Sequence, residues 1–131
     1  MVTTTFAARL NRLFDTVHPP GRGPHAAAEV IAALKAAGVT MSAPYLSQLR
    51  TGNRTNPSHT TMVAIADFFR IDVAYFTDDE YFAKLDAELD TLAAMRDEGV
   101  RRIAQRALGL SPRAQQDLVA NADELRRREG L

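Results

Sequence analysis

Apolar residues recur at helical spacing from one end of this chain to the other, and each break in the pattern carries a helix stop or start. Phe6, Leu10, Leu13, Phe14 and Val17 form one helical face, with Arg9 and Arg12 outside it. The run Pro19-Pro20-Gly21-Arg22-Gly23-Pro24 ends that helix in a loop. A second helix is predicted over 26–37, with Val30, Ile31 and Leu34 inward and Gly38 as its left-handed stop. A short turn follows. Ser42 then caps a third helix over 43–51, where Pro44 sits in the first turn and loses no hydrogen bond. Leu46 and Leu49 face its core. The loop Gly52-Asn53-Arg54-Thr55-Asn56-Pro57 leads to a fourth helix through Phe69, capped by Ser58 or Thr60, with Met62, Ile65, Ala66 and Phe69 buried. A short turn at 72–76 closes this part.

The second part is also helical. Thr77-Asp78-Asp79-Glu80 reads as a capping box, a hydroxyl followed three residues on by a carboxylate. The helix after it is predicted to run to about residue 98. Phe82, Leu85, Leu89 and Leu92 make a heptad-like seam along it, and Gly99 breaks it. Val100, Ile103, Ala104 and Leu108 continue as a short helix. Ser111-Pro112 starts the last one, with Leu118, Ala122 and Leu125 on its inner face and Arg126, Arg127 and Arg128 in its final turn. No strand, internal repeat or low-complexity tract is evident, so the pattern predicts an all-α protein.

Charge divides the chain as the helices do. The net charge is zero, yet residues 1–70 hold seven Lys and Arg against three Asp and Glu, while residues 71–131 hold nine against thirteen. Residues 71–98 alone carry two basic and nine acidic groups. A basic front suggests an anionic partner that the acidic rear would repel. Cysteine is absent, which removes disulfides and thiolate chemistry. No apolar run approaches the ~20 residues of a membrane span, and the amphipathic N-terminus does not read as a signal peptide, so the reading is cytoplasmic. His18, His25 and His59 lack metal-ligand spacing, Asp78, Asp79 and Glu80 suffice as a helix start, and no nucleophile–base pair stands out. No enzyme, metal, cofactor or small-molecule ligand is expected.

Helix, Gly, turn, short helix, Gly-Asn loop, Pro, helix is the order of a helix-turn-helix unit. A short helix standing off a bundle fits the DNA major groove, which is about 12 Å wide. Because Leu46 and Leu49 must face the core, Ala43, Pro44, Tyr45 and Gln48 are left to face the groove. Ser42 stands beside them, Ser47 can reach a phosphate or pack inside, Arg50 adds charge, and Asn53, Arg54, Thr55 and Asn56 would hold the phosphate backbone. Gln48 can meet an adenine edge with two hydrogen bonds. Tyr45 can stack on a sugar, touch a thymine methyl or stand as a plain surface residue. Gly21-Arg22-Gly23 reads equally as a basic arm and as a breaker.

The stretch Pro44 to Ser58, with its Leu-Ser-x-Leu-x-x-Gly-x-Arg-x-x-Pro core, resembles the recognition helix and following loop of the Cro and phage-repressor family. Ile65-Ala66-Asp67-Phe68-Phe69-Arg70-Ile71-Asp72 resembles that family's fourth helix. Some features depart from the pattern. Ala43 and Pro44 stand where many relatives carry Gln, Arg or Ser, the preceding turn is about two residues longer, the second helix lacks the Gln that often opens it, and the 19–24 loop is long. Direct base readout is therefore expected to be weak, with shape, phosphate contacts and multiple sites supplying the rest.

The resemblance widens at Thr4 to Val17, Tyr75 to Tyr81 and Val100 to Ala107. Together with 43–57 these resemble a family of mycobacterial nucleoid-associated regulators linked to specialised secretion. That resemblance implies a DNA-binding head at residues 1–76 and a helical dimerisation domain at 77–131. It further implies a homodimer, a possible dimer of dimers, occupancy of many sites in the nucleoid, and a role both architectural and regulatory, reaching virulence genes. The dimer surface expected from the apolar pattern is Phe82, Leu85, Leu89 and Leu92 with Leu118, Ala122 and Leu125. The rival reading is a protein-interaction adaptor working through the acidic tail, which the bare Ala43 and Pro44 favour and Arg50, Arg54 and the basic head oppose.

Overall fold

The computed structural model describes residues 4–19 and 21–131. Pro20, in the loop predicted at 19–24, and residues 1–3 lie outside the described residues. Among the described residues there are eight helices and no strand: α1 (Phe6–Thr16), α2 (Ala27–Ala36), α3 (Ala43–Thr51), α4 (His59–Phe68), α5 (Ala74–Thr77), α6 (Asp79–Ala94), α7 (Glu98–Ala107) and α8 (Pro112–Arg128). The all-α expectation is met. None of these helices is long and apolar enough to cross a membrane.

The helix ends follow from side-chain chemistry. Thr5, Ser42, Ser58 and Ser111 each accept a hydrogen bond from the backbone N–H three residues on, satisfying a donor that the first turn leaves orphaned. Gly38 and Gly52 close α2 and α3 with φ of 90° and 83°, a region a β-carbon disfavours. Arg70 adopts φ 58° after α4 without being glycine. The Ile71 N–H donating to the Ala66 carbonyl at 3.0 Å holds it there.

Two compact units result, one through Thr91 and one from Leu92 to Leu131. The core of the first joins Leu10, Leu13 and Phe14 of α1 to Val30 and Leu34 of α2, Leu46 and Leu49 of α3, Ile65 of α4 and Tyr75 of α5, each nearly or wholly removed from solvent. Phe14 meets Phe69 edge-on, with ring centroids 5.3 Å apart. Burying each of these large side chains contributes roughly 1.5–3 kcal/mol. Met62, expected in this core, is half-buried.

The structure differs from the sequence reading at four points. The turn expected at 72–76 contains a helical turn, α5. Thr77 ends α5 instead of capping α6; that role falls to Asp78, whose Oδ1 accepts from the N–H groups of Glu80 and Tyr81. Gly99 does not break a helix. It lies in the first turn of α7, which Asp97 caps by accepting from the Val100 N–H at 3.0 Å. The break falls earlier, at the end of α6.

The fourth difference concerns Arg9, which was expected outside the apolar stripe and is buried. Its Nη1 donates to the Tyr75 carbonyl at 3.0 Å, its Nη2 pairs with Asp79, and its guanidinium lies 4.3 Å from the Phe82 ring centre. The Tyr75 hydroxyl returns a hydrogen bond to the Arg9 carbonyl at 2.9 Å, and burial pushes the phenol above its usual pKa. One turn along, Arg12 Nε pairs with Asp86 at 2.9 Å and Nη2 with Asp90. The first three turns of α6 thus belong to the first unit.

The second unit is thinner. Val119, Leu125, Ile103 and Leu108 are exposed, and α7 and α8 contain no buried residue. Gln115 Nε2 donates to the Ala107 carbonyl at 3.1 Å, tying α8 to the end of α7.

Candidate nucleic-acid interface

The third helix forms where its sequence directs it, over Ala43–Thr51, with Ser42 as N-cap and Pro44 in the first turn. Leu46 and Leu49 are fully buried, which fixes its rotation. Two outward flanks follow. Ala43, Ser47 and Thr51 share one of them with Arg50 and Asn11, around an open depression of about 400 Å³ beside Ala27 of α2. Small residues there let another backbone come close. Pro44, Tyr45 and Gln48 form the other flank; Pro44 is exposed, Tyr45 and Gln48 are half-buried.

Arg50 stands apart from the other residues assigned to DNA. Its Nε donates to Asn11 Oδ1 at 2.9 Å, its carbonyl accepts from Asn11 Nδ2 at 2.8 Å, and its guanidinium lies 4.0 Å from the Phe14 ring centre. These contacts clamp α3 to α1. A cation over an aromatic face is worth roughly 0.5–1 kcal/mol at an exposed site, more when desolvated.

The following loop is organised around Gln48. The Arg54 N–H donates to the Gln48 carbonyl at 3.1 Å, and Arg54 Nε donates to Gln48 Oε1 at 3.3 Å. Asn53, Arg54, Thr55 and Asn56 are all exposed, and Pro57 is buried as the anchor before α4. The loop residues named from sequence thus come together with Gln48 at one end of α3.

The positive charge of the first unit is narrower than the residue count suggests. Arg9 and Arg12 pair with acids of α6. Arg22 pairs with Glu29, Nη1 donating to Oε2 at 3.0 Å and Nη2 to Oε1 at 2.5 Å. Glu29 also accepts from the Ala26 N–H at 3.0 Å and lies 3.1 Å from His25 Nδ1. Arg22 first, then Ala26 and His25, hold this carboxyl well below the usual carboxylate range. Both readings of Gly21-Arg22-Gly23 therefore gain a third: Arg22 fastens the loop to the start of α2. Sequence reasoning missed the α1–α6 ion pairs. The signal was present, since Arg9 and Arg12 share a helix face and Asp79, Asp86 and Asp90 recur at steps of seven and four on another.

The residues expected to join two copies are distributed differently. Leu89 is buried in the core of the first unit, and Phe82 and Leu85 pack against that core. Leu92 and Leu125 are exposed, as is Ala122, and Leu118 is half-buried. Among the described residues there is no group of three or more His, Asp and Glu arranged to hold a metal.

No family model matches the chain. It is 73% identical over 130 residues to the nucleoid-associated protein EspR of Mycobacterium tuberculosis strain CDC 1551 / Oshkosh, covering 99% of this chain and 98% of that protein, and equally similar to EspR of strain ATCC 25618 / H37Rv. Identity of that degree over nearly the full length of both chains places this one among nucleoid-associated proteins: the chain belongs to the EspR family.

Proposed function

We propose that this chain binds double-stranded DNA by setting α3 into the major groove and the loop 53–56 against the phosphate backbone, and that it acts as an architectural and regulatory protein of the nucleoid. The observation that carries the reading is the arrangement of α3. It is a capped, short helix fixed in rotation by Leu46 and Leu49, with Gln48 and Arg54 joined at its exposed end. The name of the relatives, nucleoid-associated, agrees with it.

The first turn of α3 offers Ala43 and Pro44 and so brings no side-chain donor or acceptor to a base edge. Base readout then falls to Tyr45, Ser47 and Gln48. Backbone contact falls to Ser42, Asn53, Arg54, Thr55 and Asn56, while Arg50 holds the helix in place. With few base contacts, binding spreads over many related sites.

A DNA-binding head at residues 1–76 is joined in this reading to a helical pairing domain at 77–131. The pairing surface lies in this reading on the exposed Leu92, Ala122 and Leu125 with the half-buried Leu118, and Val119 beside them. A homodimer couples two heads, so that a second DNA contact becomes intramolecular, and dimers can associate further. Mobility shift of the full chain on random-sequence duplexes across salt concentrations tests the reading. We expect log affinity to fall linearly with log salt, at a slope of about −0.9 per phosphate contacted. Absence of salt-sensitive binding to any duplex would return the adaptor reading.

A further inference from the structure

The Arg54–Gln48 contact determines more than the shape of a loop. We propose that Arg54 is a positioning residue for base readout: by holding Gln48 Oε1 it turns the pair into a donor-only reader that selects a guanine edge. The inference rests on the DNA-binding reading above.

Arg54 Nε carries a hydrogen and can only donate, so the atom it meets at 3.3 Å on Gln48 must be the carbonyl oxygen of the amide. That settles which way the amide lies. Gln48 Nε2, with two N–H donors, is the end left free. The backbone of Arg54 is tied to the same residue, its N–H donating to the Gln48 carbonyl at 3.1 Å, which keeps the start of its side chain beside the amide. Among the described residues the Arg54 guanidinium makes no ion pair, so its terminal nitrogens are also free to donate. Side by side, the two residues present donors, and the one acceptor is already engaged by Arg54.

In the major groove the edges differ in a way that such a pair can detect. Guanine shows two acceptors, N7 and O6. Adenine shows one acceptor and one donor. Cytosine shows a donor alone. The familiar two-bond pairing of glutamine with adenine needs Oε1 to accept from the adenine N6 amino group while Nε2 donates to N7. Arg54 occupies Oε1 and disfavours that mode. Guanine, with two acceptors for two donors, suits the pair. Ala43 and Pro44 supply no competing side chain earlier on the helix, so the choice made here is not overridden there.

The test is a selection of bound sequences from random duplexes with the full-length protein, its Arg54→Ala and Arg54→Lys variants, and Gln48→Ala, followed by titration of single duplexes. The native protein should prefer guanine over adenine at one position of its site by about tenfold, within the range of one good base contact. Replacing that guanine with 7-deazaguanine, which lacks the N7 acceptor, should erase most of the preference. Arg54→Ala frees the amide and should move the preference at the same position to adenine. Arg54→Lys, which still donates, should keep guanine, and Gln48→Ala should flatten the position. If Arg54→Ala weakens every duplex alike and leaves the base profile unchanged, Arg54 is a phosphate contact only and the inference fails. Adenine preferred by the native protein at that position would also overturn it. If the native protein shows no salt-sensitive affinity for any duplex, it is the DNA-binding reading itself that fails.

Discussion

Asn11 and Arg50 exchange two hydrogen bonds between α1 and α3, side chain to side chain at 2.9 Å and side chain to carbonyl at 2.8 Å. The same guanidinium covers the Phe14 ring. The helix that would enter the groove is therefore held to the body by a residue of its own, and its setting depends on α1.

That arrangement predicts coupling. Asn11→Ala and Arg50→Ala should each lower stability by about 1–2 kcal/mol, the worth of a charge-assisted hydrogen bond and a cation–aromatic contact. The double variant should lose less than the sum, by about 0.5 kcal/mol or more, since the two share one interaction. Urea unfolding of the four proteins measures the cycle. Strict additivity would mean that the pair is a bystander. Arg50→Lys should behave like Arg50→Ala, because an ammonium keeps the charge but cannot reproduce the planar contact with Phe14.

Much of this was legible in the sequence, for a definite reason. Local signals mark α3 completely: Ser42 caps it, Pro44 fits its first turn, Leu46 and Leu49 set its face, and Gly52 ends it in a left-handed conformation. Each acts within a few residues. What escaped depends on pairing between distant segments. Arg9 stands outside the apolar stripe of its helix, and nothing local announces its burial, because the acid that neutralises it, Asp79, is 70 positions away. The Phe82, Leu85, Leu89 seam was rightly seen as apolar, but periodicity shows only that a face must be covered, not what covers it. At the candidate site, the Gly-Asn sequence marks 53–56 as a loop, whereas the contact between Arg54 and the Gln48 amide required coordinates.

The α1–α6 pairs predict where the head can be cut. A chain ending at Thr91 keeps Asp79, Asp86 and Asp90 and should unfold cooperatively. A chain ending at Phe76 leaves Arg9 without its acid and removes Phe82 and Leu89 from the core. The loss of one large buried apolar side chain alone costs roughly 2–5 kcal/mol, a large share of the stability of a small domain. The shorter fragment should therefore show a lower and broader thermal transition by circular dichroism. Equal midpoints for the two fragments would show that α6 adds nothing to the head. Asp79→Asn in the full chain should act in the same direction, by about 1–2 kcal/mol.

Glu29 predicts a pH dependence with a fixed sign. Its carboxyl is held below the usual range by Arg22, the Ala26 N–H and His25. A group with a depressed folded-state pKa stabilises the fold above its unfolded value, and that stabilisation disappears as pH falls toward the depressed value. Glu29→Gln should therefore lower the melting temperature at pH 7, and the gap to the native protein should close as pH falls below the ordinary carboxylate range. Added salt should also narrow it at pH 7, since the Arg22 pair is exposed and screened. A gap that widens in acid would reverse the assignment.

Leu89 is nearly buried in the first unit, while Leu125 and Val119 keep 57% and 60% of their surface open. A helix pair of forty residues cannot bury a core of its own size unaided, and α7 and α8 leave their large apolar groups uncovered. A second copy would cover them, and a symmetric contact would use the same patch twice. Two substitutions separate these roles. Leu125→Asp should leave the melting of the head nearly unchanged but shift sedimentation equilibrium from dimer to monomer, and it should reduce affinity for a long duplex by the ~10²–10⁴-fold that linkage of two heads confers. Leu89→Asp should instead unfold the first unit, because it places a charge where no partner is available. If Leu125→Asp and Val119→Asp both remain dimeric while Leu89→Asp gives a folded monomer, the pairing surface lies on α6 and not on the exposed face of α8.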